Sequence, residues 1–98
     1  MSAREQVIAT LTDVLPDLRR DLGVCTLWLF GSMARGQDTD ESDVNVLVEF
    51  DRPASLFTLA RVKHRLQAAL RRDVELGTPE SLSKASRERV MKERVLVA

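Results

Sequence analysis

The sequence predicts an α+β fold, a small mixed β-sheet with helices packed on one face. Three observations predict it. Two stretches with helical apolar spacing enclose a pair of short strand-like runs. A third alternating run follows the second helix. Strands and helices alternate too few times for a doubly wound sheet. The expected order is α-β-β-α-β-α, in a single domain over residues 1–98.

Residues 3–21 carry Val7, Ile8, Leu11, Val14, Leu15 and Leu18 on one helical face. Pro16 either kinks that helix or restarts it, and Gly23 is a stop signal. Residues 25–30 are short and apolar and read as a buried strand. Residues 31–42 hold two glycines and an acidic stretch, a loop with one helical turn at 32–35. In residues 44–50, Val44, Val46, Val48 and Phe50 alternate onto one face, and Asp43, Asn45, Leu47 and Glu49 onto the other. Pro53 marks a turn and Ser55 an N-cap. Leu56, Leu59, Val62, Leu66 and Leu70 then form the apolar face of a second helix. Residues 73–77 read as a third strand, 79–85 as a helical turn and 86–96 as a final helix.

A chain of 98 residues buries a modest core, so an oligomer or a hetero-complex is expected. Apolar residues make up 44% and charged residues 31%, a balance typical of soluble proteins. The formal net charge of +0 argues against direct nucleic-acid contact, which favours a basic excess. Cys25 has no cysteine partner and, among apolar neighbours, is expected to be a small buried hydrophobe. No apolar run approaches the roughly 20 residues of a membrane span. Residues 1–6 are polar and lack a signal-peptide hydrophobic region, so a cytoplasmic location is expected.

The chemistry concentrates around residues 31–45. Gly31 lets backbone approach a ligand with no Cβ in the way. Ser32 offers a hydroxyl, and the turn after it offers free N–H groups, donors that suit phosphate oxygens. Arg35 adds charge or pairs with a local acid such as Asp43. On its own this reads first as a strand-to-helix turn with a capping serine. Asp43 and Asn45 share a strand face, and Glu75 lies opposite the apolar side of a later strand. If those strands are neighbours, the three side chains converge beside the loop. Carboxylates so placed can hold Mg²⁺ against a nucleoside triphosphate. A merely solvated sheet face reads the same way.

The combination is more specific than its parts. Gly31-Ser32-Met33-Ala34-Arg35-Gly36, followed by Ser42-Asp43-Val44-Asn45-Val46-Leu47-Val48, resembles the DNA polymerase β-like nucleotidyltransferases. In particular it is similar to the minimal nucleotidyltransferases, antitoxin-like partners of HEPN proteins. Val74-Glu75-Leu76 with Thr78-Pro79-Glu80 and Leu82 is similar to the family's third-strand segment. Glu93 before a hydrophobic end is similar to family tails. The likeness covers nearly the whole chain and implies the nucleotidyltransferase fold.

The resemblance also implies roles. Gly31, Ser32 and Arg35 would bind nucleotide, and Asp43, Asn45 and Glu75 would be the catalytic and metal-binding set. The cofactor would be Mg²⁺ and the substrate ATP. Two positions depart from the family's pattern. Asn45 stands where a second metal-binding Asp is usual, and it loses the charge. Glu75 replaces the usual third Asp, and it moves the charge by about one methylene; a displacement near 1 Å can cost on the order of a hundredfold in rate.

Little chain remains for an acceptor domain, so a partner would supply the acceptor; for this family that partner is a HEPN toxin. Three readings follow. The first is an enzyme moving AMP from ATP onto a hydroxyl of the toxin. The second is a binding module that masks the toxin, favoured by Asn45 and zero net charge. The third is a nucleotide sensor. Transfer of labelled AMP to a co-purified partner, with Asn45 and with Asn45→Asp, separates them. Elsewhere, His64 has no Cys or second His nearby to complete a metal site. Arg71 and Arg72 read as a solvated helix end, and Trp28 as core. The final helix mixes Arg87, Glu88, Arg89, Lys92, Glu93 and Arg94, a solvated face.

Overall fold

A computed structural model of the chain describes residues 2–37 and 43–97. Ser42, quoted in the motif, lies outside the described residues. Helix α1 spans Ala3–Leu22, and the Ser2 hydroxyl caps it by accepting from the Glu5 N–H at 3.1 Å. Val7, Leu11, Leu15 and Leu18 are its buried face. The helix runs through Pro16 without restarting. Pro16 and Thr12, whose carbonyl the proline leaves without a donor, are both exposed, so water can take that bond. Gly23 ends the helix at φ 72° and donates to the Leu18 carbonyl.

Strands β1 (Val24–Phe30) and β2 (Val44–Phe50) pair antiparallel, and β3 (Val74–Gly77) adds parallel to β2. Helix α2 (Leu56–Leu70), capped by Ser55, makes the crossover between the two parallel strands. Its packing on the core begins at Leu59; Leu56, in the first turn, is 83% exposed rather than part of the buried face. A 3₁₀ turn (Pro79–Ser81) leads to α3 (Lys84–Glu93). The expected helix over 86–96 stops early. Val95–Leu96 instead forms β4, antiparallel to β1, and the Val97 N–H donates to the Leu27 carbonyl at 2.9 Å. This covers part of a sheet edge whose polar backbone would otherwise lack partners. The sheet order is β3-β2-β1-β4.

One face of the sheet meets α1 and α2 in a core that includes Leu11, Leu18, Leu27, Leu29, Val46, Val48, Val62 and Leu66. Across α1 and α2, Arg65 donates to Asp21 at 3.0 Å. Hydrogen bonds from Arg20 and Arg65 hold the Asp21 carboxyl below the usual carboxylate range. Leu47, assigned by alternation to the polar face, is fully buried, as is most of Val90 in α3; both stand outside the main core. Trp28 is half-buried rather than core: it is the register partner of Leu47, and the Arg94 guanidinium lies 4.3 Å from its ring centroid.

Cys25 corrects a second burial expectation. The β1–β2 register slips between Val24, opposite Phe50, and Thr26, opposite Glu49. Cys25 is the extra residue of that bulge. Val24 and Leu27 therefore both face the core while Cys25 is exposed.

Leu27→Ala, which opens a cavity at a fully buried central position, should cost about 2–5 kcal/mol in urea unfolding. Leu56→Ala, at an exposed site, should stay within about 0.5 kcal/mol.

Candidate functional site

The site is built where β1 hands the chain to the turn beginning at Gly31. The Arg35 N–H donates to the Gly31 carbonyl at 3.2 Å and the Gln37 N–H to the Ser32 carbonyl at 2.8 Å, closing a short helical turn. The N–H groups of Ser32, Met33 and Ala34 precede the first of those bonds and have no acceptor inside the turn. Met33 and Ala34 bury their side chains in the main core. They anchor the turn from beneath and leave Ser32 at the surface side. The sequence reading gave Met33 no role; its burial is the missing part of why the turn holds its shape.

Gly31 sits at φ 77°, a backbone conformation that disfavours any side chain. It is also pressed against β2. A Cβ at Gly31 would lie 2.7 Å from Nδ2 of Asn45. The two motif positions, distant in sequence, are thus in direct contact.

Register places the rest. Asn45 is the partner of Phe30 in β1 and of Glu75 in β3. Partners on neighbouring strands, about 4.8 Å apart, project to the same face. Asn45 and Glu75 are therefore adjacent, one and two strands removed from β1 and its turn. Asp43, just before β2, is exposed. The Val44 N–H donates to the Asp73 carbonyl at 2.9 Å, which continues the β2–β3 alignment one step toward Asp43.

A cleft of about 440 Å³ opens beside the turn. Gly31, Ser32, Arg35 and Asn45 line one side, and Ser86, Arg89 and Glu93 of α3 the other. Asp43 and Glu75 stand outside its lining. A larger hollow of about 770 Å³ lies between the end of β2 and residues 78–80, and its lining includes none of Gly31, Ser32, Arg35, Asp43, Asn45 and Glu75. Arg35 does not pair with Asp43: its guanidinium donates to Glu93 at 3.0 Å and to Gln37 at 3.1 Å. The α3 residues were read as a solvated face. Ser86, Arg89, Val90 and Glu93 recur at helical spacing, which was the available signal that they share one side. Arg71 caps α2 in a left-handed conformation and His64 is exposed, both away from the cleft lining.

The nucleotidyltransferase domain family matches residues 11–97. The chain is 33% identical over 97 residues to the protein adenylyltransferase MntA of Thermococcus cleftensis, covering 99% of this chain and 98% of that protein. It is also similar to a solved structure assigned as a minimal nucleotidyltransferase, at 32% identity and a TM-score of 0.81, covering 94% and 93% of the two chains. A chain in the complex of a tri-AMPylated Shewanella oneidensis HEPN toxin with an MNT antitoxin has the same fold, with a TM-score of 0.71 at 18% identity over 97% of this chain and 71% of that one. This chain belongs to the nucleotidyltransferase domain family, as one of its minimal members.

Gly31→Ala should destabilise by about 1–2 kcal/mol through its backbone alone. Contact with Asn45 adds to that cost. In a double-mutant cycle read by chemical unfolding, Asn45→Ala should relieve part of the loss.

Proposed function

We propose that the chain is an antitoxin-type adenylyltransferase that moves AMP from ATP onto a hydroxyl of a partner HEPN toxin. The observation that carries the reading is the Gly31-Ser32 turn lying against Asn45, which is itself in register with Glu75. The relation to a protein adenylyltransferase supports the reaction type. A toxin complex in a protein of the same fold supports the kind of partner.

In this reading the Ser32 hydroxyl and the open N–H groups of the turn bind phosphate oxygens. Arg35 brings a guanidinium beside them, held by Glu93. Asp43 and Glu75 offer carboxylates, and Asn45 an amide oxygen, a hard oxygen set of the kind Mg²⁺ takes. Among the described residues no three His, Cys, Asp or Glu side chains form a ready metal cluster. Two carboxylates and one amide oxygen would leave coordination positions for triphosphate oxygens, as is usual for this ion. When bound, the ion would neutralise charge on the triphosphate. The acceptor oxygen forms a bond to the α-phosphorus, and the bond from that phosphorus to pyrophosphate breaks. In this reading Glu75 takes the acceptor's proton, and pyrophosphate leaves.

Asn45 favours a second reading, in which the chain neutralises its toxin by binding alone. One lost carboxylate at a metal position is worth several kcal/mol of transition-state stabilisation. That corresponds to on the order of a hundredfold to ten-thousandfold in rate.

Asn45→Asp should raise transfer of labelled AMP to the co-expressed partner by that order, and Asp43→Ala should abolish it in both backgrounds. If the Asn45 form and its Asp43→Ala variant protect cells as well as Asn45→Asp does, protection comes from binding. Protection that follows the transfer rate identifies the enzyme. A second measurement concerns assembly: light scattering should find an oligomer, or a complex with the product of the adjacent gene, and a strict monomer with no complex counts against the proposal.

A further inference from the structure

We propose that α3 supplies the second wall of the nucleotide site, with Arg89 binding phosphate oxygens of ATP across the cleft from the Gly31-Ser32 turn. This rests on the nucleotide-binding role given above to the turn and adds a residue from a different element.

The guanidiniums around the cleft are not equivalent. Arg35 is engaged by Glu93 at 3.0 Å and by Gln37 at 3.1 Å. Arg87 donates to the Pro79 carbonyl at 2.8 Å and is turned toward the 3₁₀ segment. Arg94 lies over the Trp28 ring. Arg89 lines the cleft and has no hydrogen bond or ion pair with another described residue. Its five donors are open to a ligand.

Charge points the same way. In the cleft lining, Arg35 and Glu93 offset one another, and Asn45 contributes no charge. Among the described residues the charge of Arg89 is left uncompensated, opposite a turn whose first N–H groups have no acceptor within it. A polyanion placed between them meets a cation on one side and backbone donors on the other. A guanidinium can present two parallel N–H groups to a phosphate, which favours Arg over Lys at such a position. Ser86 precedes Arg89 by one helical turn on the same side of α3 and brings a hydroxyl to the same wall.

The wall is also held in place. Ser83 caps α3 by accepting from the Ser86 N–H at 3.2 Å, and Val90 is buried beneath the helix. Beyond the helix, β4 pairs with β1. The Arg35–Glu93 bridge ties the turn directly to α3 and fixes the width of the cleft. Arg89 thus projects from an element that is anchored at both ends.

Calorimetry with ATP·Mg²⁺ and with AMP, on the purified chain, tests the assignment. Arg89→Ala should weaken ATP·Mg²⁺ by about tenfold to a hundredfold, the range of a hydrogen bond to a charged group. Arg89→Lys should recover part of that affinity, and AMP should change much less than ATP. The salt dependence of ATP binding should be shallower in Arg89→Ala. Ser32→Ala is measured in parallel, and Arg89→Gln serves as a second variant if Arg89→Ala lowers the thermal midpoint. Unchanged ATP affinity in both Arg89 variants, with Ser32→Ala impaired, overturns the role of α3 and leaves the turn's role intact. Equal losses for ATP and AMP overturn the phosphate assignment. Failure of the unaltered chain to bind ATP·Mg²⁺ removes the turn's role and this proposal together.

Discussion

The position of β2 between β1 and β3 is the constraint from which the site follows. Its backbone pairs antiparallel on one side and parallel on the other, and both registers are fixed by which face must be buried. Val44, Val46 and Val48 cannot leave the core, so Asn45 has to face away from it. That orientation brings Asn45 against Gly31 and beside Glu75. A slip of one residue would send Asn45 into the apolar core and pull the turn's contact apart. Hydrophobic burial on one side of the sheet therefore determines the polar geometry on the other.

Much of this was legible in the sequence because it is written in strong periodicities. The alternation of Val44, Val46 and Val48 and the helical spacing of Val7, Leu11, Leu15 and Leu18 are direct records of burial. Ser55 and Gly23 mark helix ends through side-chain capping and a left-handed backbone, both local effects. The readings that failed depend on distant partners. The exposure of Cys25 comes from a slip in pairing with β2, which no local pattern records. Leu96 continues an apolar helical pattern, yet the vacant edge of β1 draws Val95 and Leu96 into a strand. Met33 drew no role in the sequence because its burial depends on how the turn folds back onto the core.

The site shows the same division. Gly31, Ser32, Asp43, Asn45 and Glu75 were identifiable as a motif, and register places Asn45 with Glu75. The far side of the cleft was not identifiable. A helix bearing both signs of charge usually faces water, and only the tertiary fold shows that Arg89 and Glu93 turn toward the glycine-serine turn. The Arg35–Glu93 bridge is half-exposed, with side-chain exposures of 41% and 30%, so its contribution to stability is small, roughly 1 kcal/mol at most. Its importance is geometric: it joins a loop after the first strand to the helix before the last one.

Trp28 is the sole tryptophan of the chain, and it sits under Arg94 with Leu96 as its register partner. Its indole is therefore covered by the segment that leaves α3. Emission from that one ring is a built-in optical gauge of how α3 is seated. As the sole tryptophan, it reports that seating without any label.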